Sequence, residues 1–181
     1  MALTCSSSFR IDELLVLQRE RLEQGSGFQS AQFRELEFVL GAKSRTPLDR
    51  YEAGGEARAR LERRLAEPTV WDAFLHHLAR QGHAIPGAAL ERDVTRRVEE
   101  TPALHPVLID VYRRDPLLAT LCERLVDLDE GLQEWRYRHV KMVQRTIGAK
   151  RGTGGSAGAS YLATTLGQPV FPELWAIRTE L

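Results

Sequence analysis

Residues Leu117–Ala149 read LLATLCERLVDLDEGLQEWRYRHVKMVQRTIGA. The stretch has no proline, and ahead of Gly148 its one glycine is Gly131. Apolar side chains fall at Leu121, Leu125, Leu128, Leu132, Trp135 and Met142, with His139 filling the remaining place, so the steps alternate between four and three. An α-helix makes a turn every 3.6 residues, and this spacing draws one stripe along it. The sequence therefore predicts a single long helix whose seam faces a core. Glu123, Asp127, Glu130, Glu134, Arg138 and Lys141 lie off that seam. The acidic cluster Asp127, Asp129 and Glu130 reads as a solvated face.

The flanking sequence has the same character. Ser8 is placed to cap a first helix carrying Ile11, Leu14, Leu15 and Leu17, ending near Gly25. A second helix is predicted from Gln29 to Leu40, stopped by Gly41. From Glu56 to Gln81, Arg and Glu alternate around Leu61, Leu65, Val70, Trp71, Phe74 and Leu78. Pro68 divides that segment, because a ring without an N–H cannot continue a helix, and Thr69 can cap the second piece. Another break is expected at His83–Gly87, and a further helix over Leu104–Tyr112, ahead of Pro116. Alternating β-branched runs are missing. The reading is an all-α helical bundle forming one domain over residues 1–181.

The chain has 181 residues, with 25 Lys+Arg against 25 Asp+Glu and a formal net charge of zero. That balance argues against a nucleic-acid binder, which would concentrate uncompensated basic charge on one face. A pI near 7.0 gives little mutual repulsion, in keeping with a homo-oligomer. Cys5 and Cys122 stand far apart with no CxxC or Cys/His spacing, so neither a disulfide framework nor a zinc site is expected. The opening MALTCSSSFRIDELL lacks the apolar core of a secretory leader, and no run is long enough to span a membrane. A cytoplasmic setting is expected.

Three features have chemical potential. His139 sits in the seam, one turn after Trp135 and one before Met142. An inward imidazole needs either a buried hydrogen-bond partner or a metal or haem iron to ligate, and periodicity leaves both open. Arg34 lies on the second helix with Ala31 and Phe38 on its side. Its guanidinium is suited to gripping a carboxylate with two parallel bonds or to pairing with Glu37. Gly152, Gly154, Gly155 and Gly158 crowd the stretch from Arg151 to Gly158, which excludes a helix interior and leaves a loop that a ligand can approach closely. No Gly-Lys-Ser/Thr follows and no strand precedes it, so it is neither a Walker loop nor a dinucleotide loop.

Four blocks together resemble the tryptophan 2,3-dioxygenase family: SGFQSAQFRELEF at Ser26–Phe38, ARQGHAIP at Ala79–Pro86, WRYRHV at Trp135–Val140, and RGTGGSAG at Arg151–Gly158 followed by FPELW at Phe171–Trp175. The match runs from about Gly25 to Leu181. The resemblance implies that His139 is the axial ligand of haem b iron and that Arg34 binds the carboxylate of L-tryptophan. It implies that Thr153 holds the substrate's ammonium and carboxylate end, and no side chain is assigned as a catalytic acid or base. It further implies insertion of both atoms of O2 across the indole C2–C3 bond, giving N-formyl-L-kynurenine in tryptophan catabolism by the kynurenine pathway, in a homotetramer.

One departure accompanies the likeness. Family members carry a distal-side histidine ahead of the Arg34 block, whereas the first histidine here is His76. Phe9–Gln18 resembles the family's early motif, with Ser8 in place of a tyrosine. The expectation is a short member lacking the distal-histidine helices, with residues 1–24 as a divergent or truncated N-terminal part. Two other readings stand beside the first: a haem-binding relative acting on another aromatic amino acid or indole, and a member without turnover.

Overall fold

A computed structural model of the chain describes residues 30–148 and 163–181. Among the described residues every regular element is helical, as the periodicity predicted. The chain divides into two units, Ala31–Trp135 with Gly167–Leu181 (the larger) and Met1–Ser30 with Arg136–Leu166 (the smaller). The helices are α1 (Ala31–Leu40), α2 (Glu56–Ala66), α3 (Val70–Arg80), α4 (Gly87–Leu90), α5 (His105–Arg114), α6 (Pro116–Ile147) and α7 (Pro172–Ala176). Single 3₁₀ turns occupy Thr46–Arg50, Pro102–Leu104 and Ile177–Glu180. The helix expected after Ser8 and the glycine-rich stretch lie outside the described residues.

The breakers act where expected. Helix α2 ends two residues before Pro68, and Thr69 caps α3. The Asp72 N–H donates to the Thr69 hydroxyl at 3.2 Å while the Thr69 N–H donates back to the Asp72 carboxylate at 2.7 Å, a reciprocal capping box. Arg92 closes this corner with two bonds to the same carboxylate, at 2.6 and 2.8 Å. Burial alone would raise the Asp72 carboxyl, but the Arg92 guanidinium and the Thr69 groups outweigh it and hold its pKa below the usual range.

In the larger unit α1 packs on α2 through Phe38, Leu48, Leu61 and Leu65, with Ala31 and Tyr51 at the edge. Gly41 ends α1 at φ 116°, and a Cβ there would stand 2.6 Å from the Val98 side chain. Only glycine fits that approach, and the Gly41 carbonyl uses it to accept the Val98 N–H at 3.0 Å. Lys43 is buried at the end of α2, donating to the Leu65 carbonyl at 2.9 Å and to the Glu67 carbonyl. Its ammonium thereby caps the helix, and desolvation brings its pKa down to about 8.

Two expectations for the long helix require correction. Leu121, Leu128 and Trp135 of the predicted seam are 39%, 43% and 37% exposed. The buried side of α6 instead carries Leu118, Cys122, Leu125, Val126, Asp129, Leu132, Arg136, His139, Val140 and Val143. That face is rotated by roughly 70° from the hydrophobic stripe, given 100° per residue. Polar Asp129 and Arg136 occupy inward positions that a count of apolar residues passes over. Asp129, expected on a solvated face, is fully buried, whereas Asp127 and Glu130 are exposed. One Asp129 carboxylate oxygen accepts from the Val170 N–H at 3.0 Å, the Phe171 N–H at 3.2 Å and the Trp175 indole N–H at 2.9 Å. These bonds tie α7 and its approach to the middle of α6, and Trp71 lies beside Phe171 with ring centres 5.8 Å apart and planes inclined by 35°.

Candidate functional site

Arg34 stands in the middle of α1, where Glu37 and Phe38 lie one turn on. Its guanidinium pairs with the Glu37 carboxylate, and the two side chains are only 13% and 5% exposed. Of the two roles open in the sequence, the structure shows the ion pair. A shielded pair of this kind fixes the plane of the guanidinium, so a second carboxylate arriving at it meets an oriented donor fork. Tyr51, half-buried beside it, hydrogen-bonds to Arg34; burial pushes the phenol pKa up and the guanidinium draws it part of the way back. Sequence reading missed Tyr51, because it comes from the turn after Thr46–Arg50 and nothing local links it to α1.

His139 belongs to the smaller unit and is 7% exposed, on the buried side of α6 with Arg136, Val140 and Val143. Burial lowers its pKa below the ordinary histidine value, so the ring is neutral at neutral pH. A neutral imidazole carries a nitrogen lone pair, which is the form a metal ligand requires. Among the described residues no group of three His, Cys, Asp or Glu side chains converges on one point. A haem group would need only one imidazole from the protein, and His139 is the residue that would supply it. Thr153 lies outside the described residues.

Two further features escaped the sequence reading. Phe33 and Trp135 stack with ring centres 4.2 Å apart and planes inclined by 27°, joining α1 to α6. Glu173, in the FPELW stretch, is fully buried, and neither carboxylate oxygen makes a well-formed hydrogen bond. Desolvation raises its pKa to about 7, and the nearby backbone N–H groups of Glu173 and Thr101 offset only part of that. No local signal distinguishes this glutamate from a surface one.

The described residues thus define an all-α protein with a buried neutral imidazole on its longest helix and a paired arginine on α1. The family model described as Tryptophan 2,3-dioxygenase matches residues 72–181. A protein from Herpetosiphon aurantiacus named tryptophan 2,3-dioxygenase is 58% identical over 163 residues, which cover 90% of this chain and 62% of that protein. Proteins of the same name from Kineococcus radiotolerans and Bacillus thuringiensis subsp. konkukian are 48% and 43% identical, covering 88% and 90% of this chain and 57% and 60% of their own lengths. The chain belongs to the tryptophan 2,3-dioxygenase family. It spans about 60% of the length of these relatives.

Proposed function

We propose that this chain binds haem b through His139 and acts on L-tryptophan with O2, opening the indole C2–C3 bond to give N-formyl-L-kynurenine. The observation that carries the reading is the burial of His139 as a neutral imidazole within the family-matched region. When bound, the haem iron supplies the oxygen chemistry, and the protein contributes binding and orientation. His139 offers its lone pair on the buried side of α6. Arg34, held in plane by Glu37, receives the substrate carboxylate, and Thr153 holds the ammonium and carboxylate end. The reading carries with it a single all-α haem dioxygenase-like domain, a homotetramer and a cytoplasmic location. Among the described residues no helix is long and apolar enough to cross a membrane.

Haem titration tests the cofactor half. Wild type is expected to develop the Soret band of a histidine-ligated haem, and His139→Ala to lose or shift it at unchanged helicity. A wild-type protein that takes up no haem overturns the reading. The substrate half is read from tryptophan affinity in the holo-protein. Arg34→Ala is expected to weaken it by about 10- to 100-fold, the worth of a charged hydrogen-bonded contact. Unchanged affinity removes Arg34 from the site.

A further inference from the structure

The Arg34 guanidinium is bracketed by two groups of different origin, both within the larger unit. Glu37, one turn on along α1, pairs with it and is itself buried. Tyr51 reaches it from outside the helix and hydrogen-bonds to it. A guanidinium offers only donors, so its N–H donates and the phenol oxygen accepts. The phenol has a fixed seat. Pro47 lies in the first turn of the 3₁₀ segment Thr46–Arg50, which hands the chain on to Tyr51 in an extended conformation, φ −103° and ψ 142°. The Tyr51 N–H donates to the carbonyl of buried Leu48 at 3.0 Å. The ring itself packs against the core of Phe38, Leu48, Leu61 and Leu65. Backbone and ring are thus both anchored where the hydroxyl meets Arg34.

An arginine side chain has several freely turning bonds, and a ligand that must first freeze them loses affinity. Glu37 supplies one restraint, but it travels with α1 and its negative charge offsets part of the attraction that an arriving carboxylate would feel. A second carboxylate in the place of Tyr51 would hold the fork as well and would repel such a ligand further. A phenol does neither. Burial keeps it in the neutral form, and it ties the guanidinium to the core between α1 and α2 without adding charge. Given the carboxylate role proposed for Arg34, we infer that Tyr51 is a positioning residue: its hydroxyl presets the Arg34 fork to receive the carboxylate of an α-amino acid. Preference for substrates bearing that group then depends on the turn after Thr46–Arg50 as well as on α1.

Tyr51→Phe keeps the ring and its packing and removes only the acceptor. In the holo-protein it is expected to bind L-tryptophan about 3- to 10-fold more weakly, the worth of one hydrogen bond. Tryptamine has the indole and the ammonium but no carboxylate, and its affinity is expected to stay unchanged. A general loosening of the fold would weaken both ligands alike. A second readout needs neither haem nor substrate. The Arg34 Nε–H signal in the NMR spectrum of the unliganded protein, identified by its absence from Arg34→Ala, is expected to exchange with water several-fold faster in Tyr51→Phe. Tryptophan affinity that is unchanged in Tyr51→Phe but weakened in Arg34→Ala overturns the role of Tyr51 and leaves Arg34 in the site. Equal losses for tryptophan and tryptamine, or an unaltered Arg34 exchange rate, overturn it too. If Arg34→Ala itself leaves tryptophan affinity unchanged, the substrate reading fails and the role of Tyr51 falls with it.

Discussion

Glu173 carries the sharpest consequence at the level of a single residue. Its carboxyl has a folded-state pKa of about 7 against an ordinary 4.5, so the folded chain holds the extra proton between those values. Its contribution to stability is fully present below the lower value and is lost as pH rises through the upper one. Wild type is expected to lose about 2–3 kcal/mol of unfolding free energy from this group between roughly pH 5 and pH 8. Glu173→Gln keeps the neutral shape and should flatten that fall, as urea unfolding at the two pH values will show. His139 works in the opposite sense. Burial lowers its pKa, so its neutral form persists to more acid pH than for an exposed histidine, and stability attributable to it declines as pH falls through the lowered value. Of these two buried groups the sequence marked only His139, because it interrupts an apolar series; Glu173 sits among residues whose pattern says nothing of depth.

Among the elements, α1 shows how a terminus fixes what the helix presents. The Gly41 and Ala42 N–H groups both bond back to the Glu37 carbonyl, at 3.0 and 2.8 Å, and the backbone turns through a positive φ only glycine tolerates well. Gly41→Ala is expected to destabilise by at least about 2 kcal/mol, from a disfavoured backbone angle together with the collision at Val98. Thermal unfolding measures the loss. A variant within a few tenths of wild type would mean that Val98 moves aside at no cost. Helix positions were legible in sequence to within a few residues at Gly41, Pro68, Thr69 and Pro116, where a breaker or a cap acts through local chemistry. The face of α6 was not. Leu121, Leu128 and Trp135 form a sound helical stripe, yet which side of a helix is buried depends on neighbours that arrive from far along the chain, and Asp129 goes inward because three N–H donors meet it there.

Across the whole molecule, that aspartate joins distant parts of the chain. Asp129→Ala leaves the Val170, Phe171 and Trp175 donors without their acceptor and is expected to cost about 3 kcal/mol, more than any one neutral hydrogen bond supplies. Denaturant titration monitored by Trp175 fluorescence checks it. A loss below about 1 kcal/mol would show that water satisfies those groups equally well. Family membership and the haem reading drew on blocks scattered from Ser26 to Trp175, whereas the bond from Arg34 to Tyr51 had no counterpart in the pattern, since it exists only once the turn after Thr46–Arg50 meets α1. The Asp129 clamp also sets an order of events during synthesis. Val170 follows its acceptor by 41 residues, which at 5–20 residues per second is a delay of about 2–8 s on the ribosome. Throughout that interval the nascent helix carries an acid whose donors have not yet been made, so this clamp can close only after the Val170–Trp175 segment has been added.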